Sequence, residues 1–172
     1  STFINLLMKF SYVNSGKICI NNKDIDDICL SDLRERIVVV YQEGFIMNAS
    51  IRDNITLGCD SDDSKFDELA MMCKIDEFVS KLPEQYDSVI YENGINFSGG
   101  ECQRLMIARA LFKEGDVYVF DESFSQIDSR LANEIIEHIC KRLKDKLVIF
   151  ITHDMEIAET MDNIIVFNEG GK

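Results

Sequence analysis

The chain has 172 residues, 46% of them hydrophobic and 28% charged, with a formal net charge of −13 at pH 7. This composition predicts one soluble globular domain with a real core and excludes a disordered acidic tail. The 31 acidic residues, against 18 basic ones, repel a phosphate backbone, which disfavours nucleic-acid and anionic-membrane binders. No apolar run reaches the roughly 18 residues that cross a bilayer. The six cysteines form no C-x-x-C pair, so we expect reduced thiols and no zinc site.

The first 41 residues predict a helix followed by short strands and a helical turn. Apolar residues recur at helical spacing over residues 1 to about 10, with Ser1 or Thr2 as N-cap. Residues 16–22 alternate as a short strand does, and residues 31–35 form a helical turn. The run IVVVY at 37–41 predicts a strand buried on both faces.

The middle of the chain predicts helices, and the last third returns to alternating strands and helices. Helices are expected over 66–79 and 102–112, the first ended by the Leu-Pro pair at 82–83. The later elements are strands at 117–120, 147–151 and 164–167, and helices at 129–143 and 155–161. This alternation predicts an α/β fold with a mostly parallel sheet covered on both faces, into which the middle helices are inserted.

Two adjacent carboxylates come directly after the strand at 117–120. Asp121 and Glu122 are expected at the carboxyl edge of the sheet, where open α/β folds bind ligands. Because side chains alternate along a strand, Asp121 could hold Mg²⁺ while Glu122 polarises an attacking water. The alternative is a strand that stops at a solvated acidic turn.

A glycine-rich segment precedes the helix at 102–112. Ser98, Gly99 and Gly100 leave backbone N–H groups free to point at one anion, aided by the helix dipole. The alternative is a flexible turn with an N-cap serine. The helix after this segment carries Gln103, Arg104 and Arg109.

Two further polar residues lie just beyond predicted strands. His153 comes after the strand at 147–151, and Gln42 after the strand at 37–41. Each alone is more often structural than functional. Together with Asp121 and Glu122, however, they place polar groups of three parallel strands at one edge, beside a glycine-rich anion site.

In order and spacing, these motifs resemble those of an ATP-binding cassette (ABC) domain, the motor of membrane transporters. Residues 97–104 (FSGGECQR) resemble the family's signature motif, with Phe for the usual Leu and Glu for the usual Gln. Residues 120–122 resemble its Walker B, Gln42 its Q-loop, residues 125–128 a divergent D-loop and His153 its switch histidine. The resemblance covers essentially the whole chain.

This resemblance implies a P-loop NTPase-like, three-layer core at about 1–47 and 111–172, with an inserted helical subdomain at about 48–110. Residues 48–55 and 82–87 resemble the exporter branch, whose members often fuse this motor to a membrane domain. Residues 91–94 (YENG) are similar to the exporter X-loop, usually G-E-R-G. The short interval between Gln42 and Ser98 excludes the long coiled-coil insertion of DNA-repair relatives, so no nucleic-acid partner is expected.

The resemblance also accounts for the first residues. Family members carry G-x-x-G-x-G-K-[ST], and STFINLL matches the residues after the lysine of that motif, so we expect a chain cut just after it. Ser1 would then ligate Mg²⁺, and Thr2 would contact the α-phosphate. Without that lysine and its glycines, we expect the fragment alone to hydrolyse little or no ATP.

By the same resemblance, two such domains pair head to tail, with each ATP between one Walker A and the other domain's signature. The signature residues Ser98, Gly99 and Gly100 would bind the partner's nucleotide, and Asp128 of the D-loop is also assigned to the nucleotide. The metal ligands would be Ser1, Gln42 and Asp121. The catalytic residues would be Glu122, which activates water, His153, which steadies the γ-phosphate, and Gln42.

The sequence therefore predicts the ATPase motor of an ABC exporter at the cytoplasmic face of a membrane, working with a fused or separate transmembrane domain. One alternative is a non-catalytic cassette that lends its signature face to an intact partner. A second is a soluble cassette ATPase acting on ribosomes or DNA, which the acidity disfavours. The presence of Glu122, His153 and Ser98 favours the catalytic interpretation.

Overall fold

The structure, a computed structural model, describes residues 2–59, 63–91 and 96–167. Its elements, in chain order, are α1 (Thr2–Leu7), β1 (Cys19–Ile20), β2 (Lys23–Asp24), α2 (Leu30–Arg36), β3 (Ile37–Val40), α3 (Ile51–Thr56), α4 (Asp63–Met72), α5 (Asp76–Val79), α6 (Gly99–Phe112), β4 (Val117–Asp121), α7 (Ser129–Arg142), β5 (Leu147–Ile151) and α8 (Met155–Ala158). Two short 3₁₀ turns lie at Ile25–Asp27 and Gln85–Asp87.

The strands β3, β4 and β5 form a parallel sheet in that order. Val40 of β3 lies opposite Phe120 of β4, and Asp121 of β4 lies opposite Ile151 of β5. Because the three strands run in the same direction, their carboxyl ends meet at one edge of the sheet. The predicted parallel sheet is therefore confirmed.

Both faces of this sheet are covered, as the alternation of its side chains requires. On one face, Ile37 and Val119 pack against Ile4 and Leu7 of α1. On the other face, Val38 and Phe120 join a larger core that also contains the inward residues of α4, α6 and α7. The sheet thus lies between two layers of helices.

The helices α3 to α6 lie between β3 and β4 in the chain, and α6 holds them to the sheet. Ser98 caps α6: its hydroxyl accepts from the Glu101 N–H, and the Glu101 carboxylate accepts from the Ser98 N–H at 2.7 Å. The predicted helical insertion is present, although the proposed subdomain boundaries near 48 and 110 stay a prediction.

The partly buried Arg109 and the buried Asn54 join α6 to α3. The Arg109 guanidinium donates to the backbone oxygen of Asn54 at 2.6 Å, to its side-chain oxygen at 2.7 Å and to the Phe45 carbonyl at 2.6 Å. Asn54 is fully buried and also exchanges hydrogen bonds with Met47, accepting from its N–H and donating to its carbonyl. This network fixes the segment after β3 onto α6.

Several predicted elements differ in extent from the observed ones. The helix expected over 102–112 begins at Gly99, and the helix expected over 155–161 ends at Ala158. The helix expected over 66–79 is two helices, because Lys74 adopts a left-handed conformation (φ 55°) that ends α4, and its ammonium pairs with Glu134 at 2.6 Å. The strand expected over 16–22 is only β1, which turns back to β2. Asn21 and Asn22 make that turn with φ of 49° and 64°, the conformation of a two-residue type I′ hairpin. The N-terminal helix ends at Leu7 rather than near residue 10, and Lys9 lies beyond it in a left-handed conformation.

The strand predicted at 164–167 is wrong. These residues form no strand, and their side chains are 51–83% exposed. A strand requires a neighbour to pair its backbone groups, and β5 pairs only with β4 among the described residues. The apolar composition of the segment predicted burial, but composition alone does not supply a pairing partner.

We predict that Asn54→Ala lowers the free energy of unfolding by about 2–4 kcal/mol, since it removes the buried acceptor that the partly buried Arg109 guanidinium and the Met47 N–H share. Urea denaturation of the purified protein measures this change. The matched control is Asn48→Ala, an exposed asparagine that should change stability by less than about 0.5 kcal/mol. Equal effects of the two substitutions would contradict the structural role of Asn54.

Candidate active site

The carboxyl edge of the sheet gathers the polar residues that the sequence placed there. Asp121 is the last residue of β4 and is only 8% exposed. Gln42 lies two residues beyond β3, and His153 lies two residues beyond β5; both are exposed. The sheet order therefore places Asp121 between the other two.

Glu122 and His153 are in direct contact. The Glu122 Oε1 lies 2.9 Å from the His153 Nε2, with the imidazole side chain 91% exposed and the carboxylate side chain 27% exposed. A carboxylate that touches an exposed imidazole is arranged to accept a proton at the surface of the site. The sequence predicted that these residues share an edge, and the structure brings them within hydrogen-bond distance.

The backbone of Glu122 adopts a conformation that L residues seldom occupy. Its φ is +47°, in the left-handed region, where strain is commonly stored at functional sites. Its N–H donates to the Ile151 carbonyl at 2.9 Å, and its carbonyl accepts from the Ser125 N–H at 3.2 Å. These bonds fix the turn by which the chain leaves β4 and direct the Glu122 side chain toward His153.

Asp121 is buried at the end of β4, and its charge acts on the phenol of Tyr41. Burial raises the pKa of the Tyr41 phenol, and the negative charge of Asp121 raises that pKa further, whereas Arg34 lowers it. The two side chains at the ends of β3 and β4 therefore interact. No group of three or more His, Cys, Asp or Glu side chains that could hold a metal occurs in the described part of the chain.

The donors at this edge suit Mg²⁺ better than a transition metal. Asp121 offers a carboxylate and Gln42 an amide oxygen, and Mg²⁺ is bound through one or two carboxylates plus substrate phosphates rather than by a dedicated cage. The donor chemistry therefore fits the metal that the sequence predicted. Ser1, the third predicted ligand, lies outside the described residues.

The glycine-rich segment forms the N-terminus of α6, a helix of 14 residues. Ser98 and Gly99 are exposed. The Ser98 hydroxyl donates to the Glu101 carboxylate at 2.8 Å. Burial, and then the nearby Glu101 carboxylate, raise the pKa of the Cys102 thiol. At the exposed end of this helix, the Glu101 carboxylate therefore accepts from both the N–H and the hydroxyl of Ser98.

The long polar residues of α6 turn away from this exposed end. Arg104 donates to the Lys74 carbonyl at 2.6 Å, and its guanidinium lies 4.9 Å from the centre of the Phe78 ring. Arg109 binds Asn54, and Gln103 is 1% exposed. Burial lowers the pKa of both guanidinium groups. The two arginines hold the fold together, and no periodicity of the sequence marked Asn54 as the partner of Arg109.

Two other predicted nucleotide contacts have local structural roles. Asp128 caps α7, where its carboxylate accepts from the Arg130 N–H at 3.1 Å and from the Leu131 N–H at 3.4 Å. Thr2 is the first residue of α1 and is exposed. Of the segment similar to the X-loop, Tyr91 is exposed and residues 92–95 lie outside the described residues.

Comparison with known proteins identifies the family. A family model described as ABC transporter matches residues 1–125, which is more than half of the chain. The chain belongs to the ABC transporter family. The family membership that the motifs suggested is therefore confirmed.

Individual relatives of this ABC transporter chain are exporters and processing transporters. The lactococcin-G-processing and transport ATP-binding protein LagD of Lactococcus lactis is 39% identical over 99% of the chain. The mitochondrial iron-sulfur clusters transporter atm1 of Aspergillus fumigatus is 35% identical over 99% of it. In both cases the chain spans 24% of the relative's length.

A solved structure shows that the similarity extends to the fold. A bacterial Atm1-family ABC exporter with ATP bound superimposes with a TM-score of 0.91 and 31% identity, over 98% of this chain and 30% of that one. The P-loop NTPase-like α/β fold expected from the motifs is thereby confirmed. Among the residues that the structure describes, no helix has the length and hydrophobicity to cross a membrane.

Substitution by alanine should affect the stability of this ABC chain differently at the two signature glycines, Gly99 and Gly100. A Cβ at position 100 would lie 2.6 Å from the backbone oxygen of Gln126, which cannot move aside cheaply. We expect Gly100→Ala to lower the free energy of unfolding by about 1–3 kcal/mol. A Cβ at position 99 meets the flexible end of the Gln126 side chain, so Gly99→Ala should cost less than about 1 kcal/mol. Urea unfolding of both variants tests this, and the reverse order would contradict it.

Proposed function

We propose that this chain is the ATP-binding and ATP-hydrolysing motor domain of an ABC exporter, which couples ATP hydrolysis to transport across a membrane. The observation that carries the proposal is the 2.9 Å contact between Glu122 and His153 at the carboxyl edge of the parallel sheet. Beside it lie Asp121 and Gln42, at the ends of the neighbouring strands. The Glu122–His153 contact also argues against a non-catalytic cassette, which has no need of a base.

In this proposal, each side chain at this edge has its own role in phosphoryl transfer. The Glu122 carboxylate accepts a proton from water as the water oxygen attacks the γ-phosphorus and the bond to the leaving ADP breaks. His153, donating from its exposed imidazole, steadies a γ-phosphate oxygen. Gln42 and Asp121, with Ser1, would hold Mg²⁺, which would neutralise charge on the phosphates. Gln42 also orients the water.

The partner that completes this site is a second copy of such a domain, arranged head to tail. Ser98 and Gly99 are exposed at the N-terminus of α6, where the helix dipole favours an anion; a phosphate there would replace the Glu101 carboxylate on the Ser98 N–H and hydroxyl. In this arrangement the Ser98, Gly99 and Gly100 donors bind the γ-phosphate held by the partner, and Asp128 also approaches that nucleotide. Each site therefore takes residues from both domains.

A groove between β3 and α6 suits a membrane domain. It has a volume of about 220 Å³ and is lined mainly by apolar side chains, among them Val38, Phe45 and Leu57. Phe45 is 65% exposed and Leu57 is 51% exposed, so apolar surface remains open there. A helix of the transmembrane domain that docks in this groove contacts the segment leading from Gln42. The motor then lies on the cytoplasmic face of the membrane.

On their own, the 172 residues are expected to hydrolyse little or no ATP, because they contain no G-x-x-G-x-G-K motif. Experiments on turnover therefore use the full-length protein that contains this chain. The identity of the transported substrate depends on the membrane domain.

We predict that Glu122→Gln in the full-length protein lowers the steady-state ATPase rate by at least about 100-fold, since the amide cannot accept the proton of water. Nucleotide-bound dimers should still form, because the amide retains the shape of the side chain. The ATPase rate is measured by phosphate release, and dimers by size-exclusion chromatography with Mg-ATP. The control is Glu159→Gln, an exposed acid on the segment after α8. If Glu122→Gln retained the wild-type rate, Glu122 would not be the base.

The groove predicts a position-specific cross-link. A photoreactive benzoylphenylalanine in place of Phe45 should cross-link, in the full-length protein, to a segment of the membrane domain, which peptide mass spectrometry identifies. The matched control replaces Tyr12, an aromatic that is 85% exposed but lies outside the groove. Cross-links from position 45 that reach only this chain or soluble proteins contradict the proposed docking.

A further inference from the structure

The buried amide of Gln103 connects α6 to the turn 122–127, which begins at Glu122. Its Nε2 donates to the Ser125 Oγ at 3.2 Å, and its Oε1 accepts from the Gln126 N–H at 2.9 Å. Only 1% of the residue is exposed. Both ends of a buried side-chain amide are therefore used to hold two consecutive residues of one turn.

That turn also holds the Glu122 backbone. The Ser125 N–H donates to the Glu122 carbonyl at 3.2 Å, and Glu122 itself has a φ of +47°. An L residue stays in this conformation only where its surroundings impose it. The groups that impose it are the Ile151 carbonyl on one side and Ser125 on the other, and Gln103 fixes Ser125.

The same turn touches the exposed end of α6. A Cβ on Gly100 would collide with the Gln126 backbone oxygen, so the glycines let the turn approach the helix closely. Gln126 thus contacts α6 at two residues: Gly100 in the signature segment and the buried Gln103. A continuous set of contacts runs from the signature glycines, through Gln126, Gln103 and Ser125, to Glu122 and His153.

We propose that Gln103 is a positioning residue for ATP hydrolysis. It holds the turn 122–127 so that the Glu122 carboxylate of the same chain is placed to accept a proton from the attacking water. This inference rests on the proposed function. Gln103 is buried and both ends of its amide are bonded to the turn, so its loss should lower the rate of the chemical step and leave nucleotide binding largely intact. A residue that only stabilised the fold would affect the rate no more than any other core substitution of α6.

The first test compares variants of the full-length protein. Gln103→Met keeps the volume but loses both hydrogen bonds, and it should lower kcat by about tenfold while the KM for ATP changes by less than about threefold. Gln103→Glu keeps the acceptor for the Gln126 N–H and should lose less. The control is Ile107→Val, a buried change on the same helix that leaves the turn alone. A kcat for Gln103→Met that matches the control overturns the proposal.

The second test assigns the effect to one chain. In mixed dimers, Glu122→Gln in one protomer leaves a single active Glu122 in the other. Gln103→Met should lower turnover more when it lies in the chain that keeps Glu122 than when it lies in the partner. An equal loss in the two arrangements, or the reverse order, overturns the proposal.

The Glu122→Gln background separates this inference from the function on which it rests. Turnover that survives Glu122→Gln in both chains contradicts the proposed function and this inference with it. If Glu122→Gln abolishes turnover and Gln103→Met behaves as Ile107→Val does, this inference alone fails.

Discussion

Parallel pairing of β3, β4 and β5 determines where every other part of the site lies. It places the carboxyl ends of three strands at one edge, and so brings residues far apart in the chain to one place. Ser123 reinforces this edge, because its hydroxyl donates to the Val40 carbonyl at 2.9 Å and ties the end of β4 to the end of β3. The Glu122 N–H similarly bonds the Ile151 carbonyl of β5. The site is therefore held by backbone acceptors of both neighbouring strands, and its geometry is a property of the sheet rather than of a mobile loop.

The inserted helices depend on a second set of buried polar contacts. Arg109 reaches Asn54 and the Phe45 carbonyl, and these bonds place the segment after Gln42 along α6. Isolated charges are costly to bury, so a guanidinium here requires all these acceptors. The same helix carries the signature segment at its start. Movement of α6 relative to the sheet would therefore displace the groove, the segment after Gln42 and the signature segment together.

The sequence predicted the parallel sheet and the residues at its carboxyl edge well, because short apolar runs such as Ile37–Val40 and Leu147–Ile151 are typical of buried parallel strands. It predicted less well where backbone conformation decides the outcome. Lys74 is left-handed although lysine has no such preference, and residues 164–167 are apolar without a strand to pair with. The shared edge of Glu122 and His153 was expected from their strands, but their direct contact, the positive φ of Glu122 and the amide of Gln103 that supports its turn were not, since all three depend on tertiary contacts. The roles assigned to Gln42, Asp121, Asp128 and the signature residues remain predictions.

The structure of the full-length Glu122→Gln protein with Mg-ATP, determined by electron cryomicroscopy, would test the proposed site most directly. We expect a head-to-tail dimer in which each nucleotide lies between Gln42, Asp121 and position 122 of one chain and Ser98 to Gly100 of the other. Magnesium should lie beside Asp121, and His153 should face the γ-phosphate. Nucleotide bound with the Ser98 segment of the partner turned away from it, or with Asp121 and His153 remote from the phosphates, would contradict the proposed mechanism.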